Sequence, residues 1–545
     1  MPLYFFSNRV SACYSSMARL FLVLLFLTSF SLPTYAISDL GKAGELLMSS
    51  SFDDKSEALQ LLASENNPDT KEVLKLLGDG QLFYHKKDKQ LFIIRNYDTG
   101  AEAINFDGQS QVISRKRDFK KVTLNNALRG VITQLTAEME LNATDPGVRE
   151  VAVRDLMKDL SPSTVSLLKT RFTQEQNAGV KALIGTALAV NDLKSDDAAT
   201  VAQAIERVDG SLEQEVRAAL LNIVNDHPSE DLQQQAQKVI NGIDNKIEYY
   251  GWLETLYFGL SLGSVLVLAG IGLAITFGVM GVINMAHGEL IMIGAYTTYV
   301  IQQLMPNHIG MSVIIAIPAA FIVSGLVGIA IERGVIRFLY GRPLETLLAT
   351  FGISLILQQA VRSIFSPLNR SVETPEWMSG LIQINPVFAL TESRLYIILF
   401  CLIVFFALSL VLKKTPLGLQ VRAVSQNRAM AQAMGVRSNR VDALTFGLGS
   451  GVAGVAGVAL SQLTNVGPNL GQAYIIDSFM VVVFGGVGNL WGTLVAGLSL
   501  GVANKVLEPW AGAVLAKILV LVFIILFIQK RPRGLFPQRG RAAEG

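Results

Sequence analysis

Long apolar runs in the C-terminal part of the chain constrain its fold more than any other feature. Most are at least 18 residues long, which is close to the ~20 residues that a helix needs to cross a bilayer. They lie at about 253–277, 281–303, 311–332, 344–365, 395–412, 441–463, 474–488, 490–507 and 512–529. Residues 251–545 hold only 19 basic and 11 acidic side chains, as expected where charge is costly. The pattern predicts an α-helical polytopic membrane domain with about eight or nine transmembrane or re-entrant segments.

The N-terminus has the three parts of a secretory signal peptide. Arginines precede an apolar stretch at residues 20–30, and small residues follow it at the −3 and −1 positions of a cleavage site. The stretch is too short to span a bilayer, so we predict that residues 1–36 are cleaved, with an uncleaved anchor as the alternative. Translation can begin at Met1 or at Met17. Either way, residues 37–250 are predicted to lie outside the cytoplasm.

Residues 37–250 have the composition of a soluble, mainly α-helical domain, with 25 basic and 33 acidic residues. Three similar segments, 148–156, 180–188 and 216–224, begin 32 and 36 residues apart. Each has apolar residues at helical spacing after a stretch that breaks helices. This periodicity predicts HEAT-like stacking of helix pairs, and a plain helical bundle is the alternative.

The pattern changes between residues 81 and 122. Apolar residues at 82–84 and at 91–94 flank a charged turn, which predicts two short strands and therefore a small β insertion. His85 and His227 have no partners at metal-ligand spacing, so no metal site is predicted. Nothing in this domain resembles a catalytic constellation, and we predict an interaction role without a named partner.

The basic residues of the membrane domain predict its orientation. Fourteen of the 19 lie in three segments, 333–342, 413–440 and 530–541. These three segments lie on the same side of the membrane if the N-terminal domain lies on the opposite side. The loop 366–393, predicted on the opposite side, has three glutamates and one arginine. By the positive-inside rule the C-terminus is cytoplasmic and the N-terminal domain extracytoplasmic, in agreement with the signal peptide.

Two segments of the membrane domain are interrupted by glycines. One runs from 278 to 296 and the other from 477 to 489, within the region 474–507. For the tail to end inside, 474–507 must cross an even number of times, either as two short helices or as a re-entrant hairpin. Paired interruptions of this kind mark a transport path, because irregular backbone is tolerated only where protein or a water-filled cavity covers it. The alternative is that the glycines serve close helix packing alone.

Polar residues in these segments are the candidate solute path. An ionisable group in a membrane segment is functional by default, and the alternative is a structural hydrogen bond that fixes a helix break. The predicted path residues are Asn284, His287, Glu289, Asp477, Ser478 and Asn489.

The basic loop between the fifth and sixth runs has a different character. Residues 413–440 contain no acidic side chain, and residues 422–435 are rich in alanine and glutamine, which favours a short helix that Gly435 can end. We predict a docking helix for a cytoplasmic partner, whereas a plain positive-inside loop would explain only the charge. The chain has no G-x-x-x-x-G-K-[ST] motif, so ATP hydrolysis must come from separate subunits unless an ion drives transport.

The motifs GVINMAHGE at 281–289 and VVVFGGVG at 481–488, with the 422–435 loop, resemble the branched-chain amino acid ABC permease family. The resemblance covers about residues 255–540 and is greatest to permease subunits of urea transporters with an extracytoplasmic extension. It implies a second homologous permease, two cytoplasmic ATPase subunits and an extracytoplasmic solute-binding protein, with no cofactor and no nucleic acid. The matching positions of its ATPase-coupling loop are Arg422, Asn427, Arg428, Ala431 and Gly435.

The sequence thus predicts a transport subunit rather than an enzyme, in the bacterial inner membrane. The predicted solute is small and polar, and the resemblance implies urea, which is neutral and suits amide and hydroxyl partners. Three alternatives stay open: a permease for branched-chain amino acids or short amides, an ion-coupled secondary transporter, or a sensor whose membrane domain is only an anchor.

Overall fold

The protein is described here from a computed structural model. The described residues are 41–64, 68–95, 97, 100–106 and 109–536. The predicted signal peptide, residues 1–36, lies outside them. The chain divides into two compact units, one up to Asn241 and one from Gly242 onward.

The first unit is mainly helical. Its described helices are α1 (Gly41–Leu47), α2 (Phe52–Ser64), α3 (Pro68–Gly78), α4 (Asn126–Glu140), α5 (Pro146–Met157), α6 (Pro162–Gln174), α7 (Ala178–Asp192), α8 (Ala198–Val208) and α9 (Gln214–Asp226). Asn125, Ser161 and Asn177 begin helices by accepting hydrogen bonds from free backbone N–H groups. The three recurring segments lie in α5, α7 and α9, and α7 packs against both of the others.

A five-stranded antiparallel sheet interrupts these helices. Its strands are β1 (Leu82–His85), β2 (Leu91–Ile93), β3 (Glu102–Asn105), β4 (Ser110–Val112) and β5 (Phe119–Lys121), in the order β4-β3-β2-β1-β5. The first two match the predicted strands. Prediction missed the other three, which are three or four residues long and partly or wholly exposed. Phe83, Phe92 and Phe119 form the core of one face of the sheet.

The second unit is built from long apolar helices. They are α10 (Glu230–Met280), which begins in the first unit, α11 (His287–Leu304), α12 (Ile309–Gly334), α13 (Pro343–Phe365), α14 (Glu392–Lys414), α15 (Pro416–Gln426), α16 (Arg428–Ala433), α17 (Ser438–Ser461), α18 (Leu470–Gly485) and α19 (Leu490–Lys530). A hairpin of β6 (Leu381–Asn385) and β7 (Phe388–Thr391) precedes α14.

Six of the described helices are long and apolar enough to cross a membrane: α10, α12, α13, α14, α17 and α19. The apolar helix α18 is shorter, with 16 residues. The backbone of α19 is non-helical at Gly512, where φ is 77°, so this element consists of two helical parts. The structure therefore supports a polytopic helical protein, and the predicted total of eight or nine segments stays a prediction.

Helix α17 lies at the centre of the second unit, between α11 and α12. Its glycines let the neighbouring backbones approach closely, as is typical of membrane helix interfaces. A Cβ atom at Gly454 would lie 2.5 Å from the carbonyl oxygen of Ala320, and one at Gly457 would lie 2.7 Å from the Ala295 nitrogen. No larger residue fits these positions without moving a neighbouring helix.

Candidate functional site

The first predicted interruption is a break between two helices. Helix α10 ends at Met280, residues 281–286 are not helical, and α11 begins at His287. Gly281 has a φ of 65°, which favours glycine and turns the chain away from the axis of α10. The break leaves part of the backbone of residues 281–286 without helical hydrogen bonds, so these groups need other partners.

The second interruption separates α18 from α19. Gly486 and Gly488 have φ values of 103° and 79°, and the Asn489 side chain accepts hydrogen bonds from the nitrogens of Trp491 and Gly492 to begin α19. Asn489 also donates from Nδ2 to the Phe536 carbonyl, at 3.3 Å. The predicted path residue Asn489 is thus a helix cap bonded to the C-terminal tail, and residues 474–507 belong to two helices joined by a tight turn.

The two interrupted segments meet in space. Gly278, in the last turn of α10, lies directly against Gly488, and a Cβ atom at Gly278 would overlap the Gly488 backbone. Residues more than 200 positions apart in the sequence therefore form one structural feature. The sequence predicted a relation between these segments, and the structure places them side by side.

Three predicted path residues lie together around the first break. Asn284, His287 and Glu289 are each at most 1% exposed. Asn284 accepts a hydrogen bond from the Ala286 nitrogen at 3.0 Å, and Nε2 of His287 lies 2.8 Å from the Ala269 carbonyl oxygen. The His287 contact is a structural hydrogen bond of the kind that was the alternative to solute binding. Each of the two side chains still keeps one polar atom without a partner among the described residues.

Three buried polar atoms around the first break, and a fourth about two turns further along α11, have no hydrogen-bond partner among the described residues. They are Nδ2 of Asn284, Nδ1 of His287, Oε2 of Glu289 and the hydroxyl of Tyr296. A buried polar atom without a partner costs about 1–3 kcal/mol, so such atoms are few in folded proteins and call for an explanation. A polar solute passing this region would find both donors and an acceptor.

Helix α13 supplies the wall opposite Glu289. Thr346, Thr350, Ser354 and Gln358 follow one another at four-residue spacing and are all buried, which places them on one face over about 18 Å of helix. Ser354 and Gln358 donate to Oε1 of Glu289, at 3.0 and 2.8 Å. We call Glu289 and these four residues the α11–α13 seam.

The seam also binds the non-helical segment between α10 and α11. Oγ1 of Thr350 accepts a hydrogen bond from the Met285 nitrogen at 3.1 Å. These four residues of α13 were not predicted, because a single threonine, serine or glutamine in an apolar run is not unusual. The available signal was their spacing: polar residues at every fourth position of an otherwise apolar run share one helix face.

Asp477 and Ser478 have other partners. Oδ2 of Asp477 lies 3.1 Å from Nζ of Lys517, and Ser478 donates to the Tyr474 carbonyl in its own helix at 2.8 Å. These contacts involve α18 and α19 rather than the residues that surround Glu289. The structure thus brings together three of the six predicted path residues and places the other three elsewhere in the second unit.

The basic loop forms two helices instead of the one predicted. Asn427 separates α15 from α16, because its side chain accepts a hydrogen bond from the Met430 nitrogen and begins a new helix. Gly435 has a φ of 87° just after α16, in agreement with its predicted role in ending the helix. Ala431 is buried between α15 and the start of α17, where it contacts a small apolar cluster.

Two arginines anchor this helix pair to the rest of the unit. Arg428 lies 2.6 Å from Oδ2 of Asp442 and 3.9 Å above the Tyr340 ring, and Arg422 donates to the Leu412 carbonyl. The pair is therefore held to α17 and to the end of α14. Within the described ranges, no three His, Cys, Asp or Glu side chains converge as metal ligands.

Comparison with known proteins decides the family. Residues 255–528 match the family model described as the permease component of branched-chain amino acid transport systems. The chain belongs to this family. The predicted resemblance is thereby confirmed at the level of the branched-chain amino acid ABC permeases, which are multi-pass membrane proteins. No solved structure matches the chain.

Curated relatives of this permease family align along nearly their whole length. The high-affinity branched-chain amino acid transport system permease protein BraD of Pseudomonas aeruginosa is 31% identical over 297 residues, which are 53% of this chain and 96% of BraD. LivH of Escherichia coli is 28% identical over 299 residues, with the same two coverages. A probable LivH of Methanocaldococcus jannaschii is 26% identical over 290 residues, 50% of this chain and 88% of that protein.

Proposed function

We propose that the chain is the permease subunit of an ATP-driven importer that moves urea across the inner membrane. The observation that carries this proposal is the α11–α13 seam. It places a buried carboxylate with a free oxygen, Oε2 of Glu289, beside amide and hydroxyl groups at a break in the helices. Urea donates through two NH₂ groups and accepts through one carbonyl, so the carboxyl oxygen and the amide and hydroxyl groups can replace its water shell.

The charges of the second unit favour a neutral solute. In the described part of this unit the buried histidine and carboxylate side chains are His287, Glu289, Glu332, Asp442 and Asp477. Among its described residues no lysine or arginine is buried to the same degree. A free amino acid would bring a carboxylate into this interior without a buried cation to meet it, which is unfavourable in a medium of low polarity.

A branched-chain amino acid or short amide is the second candidate solute. The relatives named above are described as branched-chain amino acid permeases, and this likeness is the support for it. Ion-coupled transport has less support, since the family consists of ABC permeases and Asp477, its clearest candidate carboxylate, is paired with Lys517.

The remaining subunits follow from this proposal. A second homologous permease would complete the path, and a solute-binding protein would deliver urea from outside. Two ATPase subunits would dock on α15 and α16, which carry Arg422 and Arg428. Met430 in α16 and Met434 just after it expose 60% and 79% of their surface there. Exposed methionines are well suited to adaptable protein contacts.

The first unit and the orientation complete the proposal. We assign residues 1–36 to a signal peptide, residues 37–250 to an extracytoplasmic domain and residues 251–545 to the permease domain. The packing of α7 against α5 and α9 supports HEAT-like stacking of the extracytoplasmic helices. The basic residues beside α15, α16 and the C-terminal tail support a cytoplasmic C-terminus.

ATP hydrolysis by the assembled transporter tests the proposed solute. The permeases, ATPases and solute-binding protein are purified and reconstituted in lipid, and hydrolysis is measured with urea, acetamide or leucine. We expect urea to stimulate hydrolysis and leucine to leave it at the basal rate. Stimulation by leucine without stimulation by urea would favour the second candidate instead.

A further inference from the structure

A cavity of about 290 Å³ lies where the basic helices meet the second interruption. Its walls are the last turns of α10 and α14, the helix α15, and the first turn of α19. The charged and polar part of its lining consists of Ser409, Lys413, Arg422, Ser425 and Asn489. The solute path proposed above uses none of these residues except Asn489, whose structural role is to cap α19.

The rest of the lining is apolar and includes an aromatic residue. Ile275, Val279 and Leu412 form the apolar wall, and Trp491 closes one side. The Trp491 ring packs edge-on against Phe405, with 5.0 Å between ring centroids, and is half exposed. Tryptophans in this setting are typical of the level at which lipid headgroups meet hydrocarbon.

The two basic side chains of the cavity have spare capacity for an anion. Lys413 forms no ion pair or side-chain hydrogen bond among the described residues, and Arg422 uses NH1 for the Leu412 carbonyl. No acidic residue occurs between residues 413 and 440 to neutralise them. An ammonium, a guanidinium and two hydroxyls around one space are donors that a phosphate group can use together.

We propose that this cavity binds the headgroup of an anionic phospholipid from the predicted cytoplasmic leaflet. Basic cavities between membrane helices on that side are suited to such headgroups, and the apolar wall would accept the upper part of an acyl chain. Gly278 and Gly488 also line the cavity, so the bound lipid touches the contact between the two interruptions. The ligand is thus a structural lipid beside the two interruptions rather than a second solute.

Quenching of Trp491 fluorescence by brominated lipids tests the site. Trp252, Trp377 and Trp510 are replaced by Phe in the full chain, which leaves Trp491 as the reporter. The protein is reconstituted in mixtures of phosphatidylcholine with brominated phosphatidylglycerol or brominated phosphatidylcholine. We expect Trp491 to report a preference for phosphatidylglycerol of roughly tenfold, since each basic residue near the surface attracts anionic lipid.

Substitutions locate the preference at the cavity. Lys413→Gln with Arg422→Gln is expected to abolish it, while Lys413→Arg with Arg422→Lys keeps it and controls for folding. Lys414→Gln is the matched charge control, because Lys414 is exposed next to Lys413 but does not line the cavity. A variant that retains the highly exposed Trp510 as its single tryptophan should show no preference for phosphatidylglycerol.

Four outcomes with the lipid mixtures would overturn the proposal, and a fifth concerns ATP hydrolysis. These are equal quenching of Trp491 by both lipids, loss of the preference in Lys414→Gln, an equal preference at Trp510, and displacement by inorganic phosphate. The last would identify free phosphate as the ligand. If the double Gln variant keeps the lipid preference but loses stimulation of ATP hydrolysis, the basic pair belongs to the ATPase contact and the lipid site is also excluded.

Discussion

Gln358 donates a hydrogen bond from Nε2 to Oε1 of Glu289 at 2.8 Å, across the interface between α13 and α11. Both side chains are buried, and Oε2 of the same carboxyl group has no partner among the described residues. The contact fixes the orientation of Glu289 next to the break at residues 281–286. If the α11–α13 seam is the solute path, as we propose, this contact sets which atoms of Glu289 a solute meets.

Replacing Gln358 tests this role. Gln358→Ala removes the donor and leaves a buried carboxyl group short of a partner, which costs about 1–3 kcal/mol. We expect urea uptake to fall by about tenfold or more. Gln359→Ala is the matched control, because Gln359 is the exposed neighbour on the same helix. The role is rejected if the two variants transport urea equally well at equal membrane levels.

The contact between the interruptions gives a second prediction. Gly278→Ala adds a methyl group that must overlap the Gly488 backbone, so we expect a lower thermal unfolding temperature and strongly reduced uptake. Gly352→Ala, in α13, is the control, since nothing lies within 4 Å of its Cβ position and alanine favours helix by about 1 kcal/mol. The thermal unfolding temperature of both variants is measured in detergent. A decrease in Gly352→Ala as large as in Gly278→Ala would argue against a specific contact between Gly278 and Gly488.

The turn after α16 gives a third prediction. Gly435 has a φ of 87° and donates its N–H to the Gln432 carbonyl, so Gly435→Pro loses both the backbone geometry and the donor. We expect this variant to insert normally but to lose ATPase-coupled uptake. Gly435→Asn should keep most activity, because asparagine tolerates a positive φ. Normal uptake by Gly435→Pro would show that α16 does not dock the ATPase.

The helices of the first unit contain a pH-sensitive contact. Arg149 forms a bidentate pair with the buried Glu175, with two N–O distances of 2.9 Å. The hydrogen bond from Arg149 is the main cause that lowers the pKa of Glu175 from 4.5 to about 2, against the opposing effect of burial. The folded pKa is the lower one, so the stabilisation is fully present above pH 4.5 and is lost as the pH falls toward 2.

Hydrogen exchange of α5 and α6 in the full chain measures this effect. Protection should decline between pH 4.5 and 2 after correction for the intrinsic exchange rate. Arg149→Ala leaves Glu175 buried without its main partner and should reduce local stability by about 3–5 kcal/mol at neutral pH. Glu175→Gln should remove the pH-dependent part of the decline, and a decline of unchanged size in that variant would assign it to other groups.

The sequence predicted the parts of the site that depend on local chemistry. Glycine and polar residues within apolar runs indicated the breaks near residues 281–286 and 486–489. Gly435 was placed at a helix end because few other residues adopt its backbone geometry. These features depend on the preferences of neighbouring residues, which a single sequence records directly.

Contacts between distant residues could not be predicted in this way. The pairing of Glu289 with Ser354 and Gln358 joins positions 65 and 69 residues apart, and the pairing of Asp477 with Lys517 joins α18 to α19. Which helix faces which is decided by packing of the whole unit, in which glycines such as Gly454 set the closest approaches. The cap at Asn427 was missed for a different reason, because its alanine-rich surroundings favour a continuous helix.

Uptake of labelled urea and labelled leucine, measured in the same cells, tests the central claim most directly. The cells carry the chain together with the second permease, the ATPases and the solute-binding protein, and lack other urea and leucine importers. We expect ATP-dependent accumulation of urea and no accumulation of leucine above that of cells without this chain. Accumulation of leucine with no accumulation of urea would contradict this claim.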